Sequence, residues 1–194
     1  MSAKGSLVCL GIDMHATVEF DAGTLLLRSV AENDADLYCD LYTDAEIMRF
    51  IGAPLSRARA LNSFRKALQL TRRRPIQWLF LAVVEKTTQR AIGLCSIELL
   101  GKRAEIGIIL CAGSRAYGNA KQALRGIIAL AFAILPLDAV CVRISADHRV
   151  AERVAMGIGF SRDADATGRD TNDGGRIWSI DRRAWDHAQR SADD

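Results

Sequence analysis

EIGIILCAGSRAYGNAKQALRGIIALAFA, from Glu105 to Ala133, decides how the rest of the chain is read. It opens on the apolar run Ile106 to Cys111, whose length and β-branched content suit a buried strand. A polar turn follows from Gly113 to Asn119, and then a helical pattern from Ala120 to about Leu135 places Ala120, Leu124, Ile127, Ala131 and Leu135 on one face. The turn therefore lies at a helix N-terminus. There the first N–H groups have no partner inside the helix and the aligned peptide dipoles leave partial positive charge, so an anion such as a phosphate is the natural guest. Gly118 and Ala120 withhold side chains where the chain would approach a diphosphate, Gly118 can take a positive φ, and Arg115 adds a permanent cation.

Upstream of this unit, Trp78 to Glu85 and Ala91 to Leu100 read as strands joined by the polar turn Lys86 to Arg90, with Gly93 a bulge or bend. With the strand bearing Glu105 they make an antiparallel meander. The helix after the anion turn then carries the chain to another strand, Ala139 to Ile144, which a helical crossover sets parallel to Ile106–Leu110. A short helix, about Arg149 to Met156, precedes Gly159-Phe160; a polar loop runs from Ser161 to Gly175, and Arg176 to Ile180 is the last strand. Toward the N-terminus, Thr24 to Val30 is the first firm strand. Helices are signalled at Glu32–Asp34, at Thr43-Asp44 and after Ser56, the third with Ala60, Phe64, Ala67, Leu68 and Thr71 inward. The span Glu32 to Glu46 holds six acidic and no basic residues. Arg57, Arg59, Arg65, Lys66, Arg72, Arg73 and Arg74 form a basic counterpart, either a solvated face or a lip that attracts an acidic ligand. The class is mixed α/β around a central, mostly antiparallel sheet.

The 194 residues fit one domain, taken as 23–188, with an N-terminal extension at 1–22 that is either a short strand or a loose arm, and a polar tail at 189–194. Apolar residues at 49% and charged residues at 25% are ordinary for a soluble globular protein, and a net charge of +3 makes no case for nucleic-acid binding. Five cysteines, without C-x-x-C or paired metal spacing, suggest reduced thiols, a cytoplasmic protein and no metal. No stretch has the apolar length of a membrane span, and the start lacks a signal-peptide cleavage site. The absence of G-x-G-x-x-G and of G-x-x-x-x-G-K-[ST] removes the main support for Rossmann and P-loop readings.

The pattern R-x-x-G-x-A at Arg115, Gly118 and Ala120 resembles the acyl-CoA pyrophosphate loop of the GNAT superfamily of N-acetyltransferases. The order of elements from about Thr24 to Trp185 is similar to that family too. TLLLRSVAENDADLYCDLYTDAEIMRFIG, the A-E-I-G of Ala104 to Gly107 and the closing I-W-S-I-D-R-R-A-W resemble its Rim-type branch, the ribosomal-protein N-terminal acetyltransferases and their relatives. The resemblance implies a sheet splayed between two parallel strands and flanked by helices. Acetyl-CoA would be the donor and an amine, either a protein N-terminus or a small molecule, the acceptor; a homodimer is left open. It also implies that backbone groups near Ile108, Ile109 and Leu110 pair with the pantetheine, where an N–H can polarise the thioester carbonyl, and that the diphosphate sits on Arg115, Ala116, Tyr117, Gly118, Asn119 and Ala120. Glu105, beside the splay, is the first candidate for the base that deprotonates the amine, with Glu98 the runner-up; the competing reading of Glu105 is an ion pair with Arg103 or Lys102.

The chain also departs from the family. Where many relatives carry an asparagine that contacts the pantetheine it has His148, which is a candidate to bind the cofactor or to be structural. Ala155 stands where a tyrosine often protonates the departing thiolate, and Ala151 replaces a serine found in some Rim-type enzymes, so no general acid carries over. These gaps keep two other readings open: a GNAT-fold protein that binds acyl-CoA or an acylated carrier protein as a sensor or with a non-amine acceptor, and a structural α/β domain with no cofactor.

Overall fold

The computed structural model describes residues 17–73, 75–114, 118–163 and 175–193. Cys9, Arg74, Arg115, Ala116, Tyr117 and most of the 161–175 loop lie outside the described residues. Where the sequence alternates or runs apolar it makes strands: β1 Glu19–Ala22, β2 Leu25–Ser29, β3 Trp78–Glu85, β4 Arg90–Leu100, β5 Arg103–Leu110, β6 Ala139–Ser145, β7 Ser161–Arg162 and β8 Gly175–Asp181. They join in one sheet of order β1-β2-β3-β4-β5-β6-β8-β7, antiparallel throughout except between β5 and β6. The helices are α1 Ala35–Thr43, α2 Ala45–Met48, α3 Arg57–Thr71, α4 Asn119–Ile134, α5 Arg149–Met156 and α6 Arg182–Asp193. Among the described residues no helix is long and apolar enough to cross a membrane.

The central strands are covered on both faces. On one, Val83, Ile97 and Ile106 of the sheet meet Leu124, Ile127, Ile128 and Ala131 of α4 and Trp185 of α6. The other face sets Ala82, Val84, Leu94 and Ile109 against Tyr38 and Leu41 of α1, Ile47 and Met48 of α2, and Phe64, Ala67 and Leu68 of α3. The five residues expected to face inward from α3 are the ones it buries, because the apolar stripe at helical spacing lies against the sheet and α1.

Local polar contacts fix where the helices begin and end. Asp44 accepts the Glu46 and Ile47 N–H groups at 2.8 and 2.9 Å, which starts α2 where the sequence places it. Asp34, only 3% exposed, takes the Ala31 N–H at 2.8 Å and both arms of Arg28 at 2.7 and 2.8 Å, so its buried charge is paired. Thr71 ends α3 by accepting the Phe80 N–H at 3.0 Å, which ties that helix to β3. The acidic α1 and the basic α3 also meet directly: Arg57 bridges Asp36 and Asp40, and Arg72 reaches Glu32 at 3.7 Å. Part of the basic run therefore answers the acidic run across two helices. These pairs are exposed and contribute little stability.

Two features differ from the reading of the sequence, and a third, the bulge expected at Gly93, is borne out. Of the two readings of 1–22, residues 19–22 make a strand of the sheet, β1, while α6 continues to Asp193, where a polar tail from 189 was expected. The ladder between β5 and β6 is only three residues long, Arg103–Glu105 against Ala139–Cys141, whereas parallel pairing was expected along Ile106–Leu110. The register between β3 and β4 slips between Val83 and Val84, leaving Ile92 as the extra residue beside Gly93. A Cβ on Gly93 would lie 2.4 Å from the Ile109 carbonyl oxygen, so only glycine lets β4 pass this close to β5.

Candidate active site

Beyond Glu105 and Cys141 the two parallel strands part. β6 stays with β8 as far as the pair Ser145 and Gly175, while β5 stays with β4 as far as Leu110 and Gly93. From Ile106 to Leu110 one edge of β5 therefore lacks a strand partner among the described residues, and alternate residues turn N–H and C=O groups into the gap. Ile108, Ile109 and Leu110 all lie on this stretch, with Ile109 and Leu110 buried and Ile108 half-buried.

Past β5 the chain makes one tight turn, Ala112–Ser114, and reaches the start of α4. Gly118 is the N-cap residue, at φ +76°, and as a glycine brings no side chain to accept the first N–H groups of α4. A Cβ added to Gly118 would meet nothing within 4 Å, so the glycine serves the left-handed backbone and not a close approach. Asn119 is turned inward, its Nδ2 donating to the Ser114 carbonyl at 3.2 Å, which braces the turn. Ala120 is half-buried.

On the α1–α3 side of the sheet the same gap widens into a cleft of roughly 480 Å³. Its floor carries Ser96 and Glu98 of β4, Glu105 and Gly107 of β5, and Arg143 and Ser145 of β6; Trp78 and Phe80 of β3 flank it, and Tyr42 and Arg49–Gly52 close it from the helical side. Period-two alternation puts these side chains together: Trp78 pairs with Glu98, Glu98 with Glu105, and Ser96 with Gly107 across neighbouring strands.

Glu105 is an ion-paired carboxylate, and its partner is neither of the two weighed from the sequence. Arg143 donates to it through Nε at 3.4 Å and through an η nitrogen at 3.1 Å. Arg103 goes instead to Asp163, and Lys102 to Asp138 at 3.8 Å. Glu98 faces Glu105 directly and has no hydrogen-bond or ion-pair partner among the described residues. Burial, then the neighbouring Glu105, hold the Glu98 carboxyl above its usual range, with Arg143 pulling the other way. Burial and Tyr38 push the Tyr42 phenol far up, so that group stays protonated and can only donate or accept hydrogen bonds.

His148 is the N-cap of α5, its Nδ1 accepting the Ala151 N–H at 3.4 Å. Its ring stacks on Phe50 with centroids 4.2 Å apart, which joins the end of α2 to α5 beside the gap. Trp78 lines the cleft, whereas Trp178 packs against the α4-side core. Arg143 was missed in the sequence. The signal for it was there, as the one charge in the otherwise apolar run AVCVRIS of β6.

A parallel strand pair open at one end, a helix N-terminus entered through a left-handed glycine and a carboxylate-bearing cleft together suit an acyl-CoA transferase. The acetyltransferase (GNAT) domain model matches residues 24–161, and the chain belongs to that family. As a member it is an acyltransferase that uses acetyl-CoA. The chain is 23% identical over 146 residues to the uncharacterized N-acetyltransferase p20 of Bacillus licheniformis, a match that covers 72% of this chain and 80% of that protein. Among solved structures it resembles RimL, the ribosomal L7/L12 alpha-N-protein acetyltransferase in an apo crystal form, with TM-score 0.70, 16% identity, and 91% and 99% of the two chains covered. It also resembles spermidine N-acetyltransferase from Vibrio cholerae in complex with CoA and spermine, with TM-score 0.69, 16% identity, and 84% and 98% covered.

Proposed function

We propose that the protein is an N-acetyltransferase whose acceptor amine sits over Glu98 and Glu105 and is deprotonated by Glu105. The observation that carries the reading is the juxtaposition of the unpaired edge of β5 with the two carboxylates of the cleft floor, on adjoining parts of the same strands. Relatives named for acting on a protein N-terminus and on spermidine agree with an amine as the acceptor.

Acetyl-CoA brings an activated acyl thioester. The chain's share is to hold the amine against it in one orientation and to take one proton. Uncapped N–H groups at the start of α4, with Gly118, Asn119, Ala120 and the Arg115–Tyr117 segment, receive the diphosphate, while alternate backbone groups of Ile108, Ile109 and Leu110 receive the pantetheine amides. His148, stacked on Phe50, contributes a contact to the same arm in this reading. Transfer forms one C–N bond and breaks one C–S bond. The proton lost by the amine goes to Glu105, and CoA departs as a thiolate that water can protonate, since a thiol pKa of about 8.5 makes it a tolerable leaving group. Arg143 keeps the Glu105 carboxylate fixed in the cleft, and proximity supplies most of the rate.

Thiol release from acetyl-CoA with a panel of primary amines tests this reading. Turnover with at least one amine is expected, and Glu105→Gln should lower kcat by at least about tenfold, as loss of a general base does. Acetyl-CoA that binds by calorimetry but transfers to none of the amines would overturn the amine reading; a kcat and pH profile that survive Glu105→Gln would remove Glu105 from its role.

A further inference from the structure

Four charged side chains line the described part of the cleft: Arg49, Glu98, Glu105 and Arg143. Two of them satisfy each other, because Arg143 holds Glu105 through two contacts. The remaining two are one acid and one base. Glu98 stands on the sheet floor and Arg49 at the end of α2 on the opposite wall, and neither has an oppositely charged partner within ion-pair distance among the described residues. Arg49 lies over the Phe50 ring at 5.2 Å. The walls near these two charges are apolar and largely aromatic, with Trp78 and Phe80 stacked 5.8 Å apart on the floor side and Tyr42, Phe50 and Ile51 on the helical side.

Building on the amine-acetyltransferase reading, we infer that the acceptor is an amphoteric amine: a single ammonium seated on Glu98, an anionic group seated on Arg49, and an apolar or aromatic body between them. A cleft built for a polycation needs a surplus of acid, and here the acids and bases among the described residues are equal in number. A second ammonium on the acceptor would face Arg49 and be repelled. An anion on the acceptor gives Arg49 a charge-assisted partner, and the ammonium does the same for Glu98, so the ligand supplies both missing halves at once. The volume, roughly 480 Å³ for cleft and gap together, suits one small body or the first residues of a peptide. Glu98 and Arg49 thus set specificity, while Glu105 is left to take the proton.

The test compares matched acceptors in the thiol-release assay: an aromatic α-amino acid against its amide and its decarboxylated amine, an acidic dipeptide amide against its neutral counterpart amide, and spermidine as a polycation. The amphoteric member of at least one pair should have a kcat/KM about tenfold above its partner, the low end of what a charge-assisted hydrogen bond contributes. Which pair shows the gap decides whether the anion is the acceptor's own carboxylate or a neighbouring acidic side chain. Arg49→Gln should shrink that ratio to near one, mainly through KM, and Glu98→Gln should raise KM for every amine. Equal turnover within both pairs, a preference for spermidine, or a ratio that survives Arg49→Gln would overturn the inference while leaving amine acetylation standing. Failure of every amine would instead fell the acetyltransferase reading beneath it.

Discussion

The two ends of the seam between β5 and β6 are built in opposite ways. At the base the strands hydrogen-bond for three residues, Asp138 N–H donates to the Lys102 carbonyl at 2.7 Å, and Arg103 pairs with Asp163. Arg182, the first residue of α6, then collars the end of α4: its guanidinium donates to the Phe132, Leu135 and Leu137 carbonyls at 3.1, 3.3 and 3.0 Å and lies 4.6 Å from the Phe132 ring centroid. At the mouth there is no ladder, and the two sides are held apart by what each is tied to, β5 to β4 and β6 to β8. A strand edge with unpaired backbone groups is stable only if the rest of the fold fixes it, so the tight base is what allows an open mouth.

That contrast predicts that damage at the base lowers stability and damage at the mouth lowers affinity. The largest effect is expected from Arg182→Ala, which leaves three carbonyls without their cationic donor at the negative end of α4 and should cost about 3 kcal/mol in urea unfolding. Acetyl-CoA affinity of the folded variant should stay within about twofold, an allowance of only a few tenths of a kcal/mol. A parallel fall in affinity would show that base and mouth are one unit.

Gly118→Asp should reverse the pattern. An added carboxylate at the α4 N-terminus should weaken acetyl-CoA binding at least about tenfold by calorimetry, because the helix mouth attracts the diphosphate through the same field that the carboxylate would occupy. The stability cost should stay near 1 kcal/mol, since aspartate tolerates positive φ better than most residues. Gly118→Ala separates the two contributions: it brings the backbone strain without the charge, and its affinity should lie much closer to the wild type.

Much of this was legible in the sequence for a physical reason. Burial repeats at the period of the element, so β3, β4, α3 and α4 could be placed within a residue or two and β5 within three, and Gly118 at a strand-to-helix turn could be read as a helix mouth. The length of the β5–β6 ladder was not legible, because parting depends on which neighbour each strand follows and both runs remain apolar past the point of separation. Pairing across the sheet was hidden for a related reason. Glu105 finds Arg143 across 38 positions of sequence, whereas Arg103 and Lys102, its neighbours along the chain, are drawn to Asp163 and Asp138. Arg49 and Phe50 could be placed near the end of a short helix, but not over the cleft, since their position depends on how α2 packs on the sheet.

The smallest effect concerns how the mouth is kept open on the β6 side. Glu152 of α5 is 8% exposed and accepts from Arg149 and from Arg176 of β8, both at 3.1 Å, so it fastens the helix next to the gap to the strand that draws β6 away. Burial alone would raise its pKa, but the two guanidiniums outweigh that and hold it below the usual carboxylate range. A depressed folded-state pKa gives stability that is fully present above the unfolded value, about 4.3, and is lost as pH falls through the lower folded value. Glu152→Gln should therefore lower Tm by an amount that is constant above about pH 5 and shrinks below about pH 4, the range set by that carboxylate value. A gap that stays the same width through the acid range would mean that Glu152 fastens α5 by shape and neutral hydrogen bonding, and that charge plays no part in holding the two sides of the mouth apart.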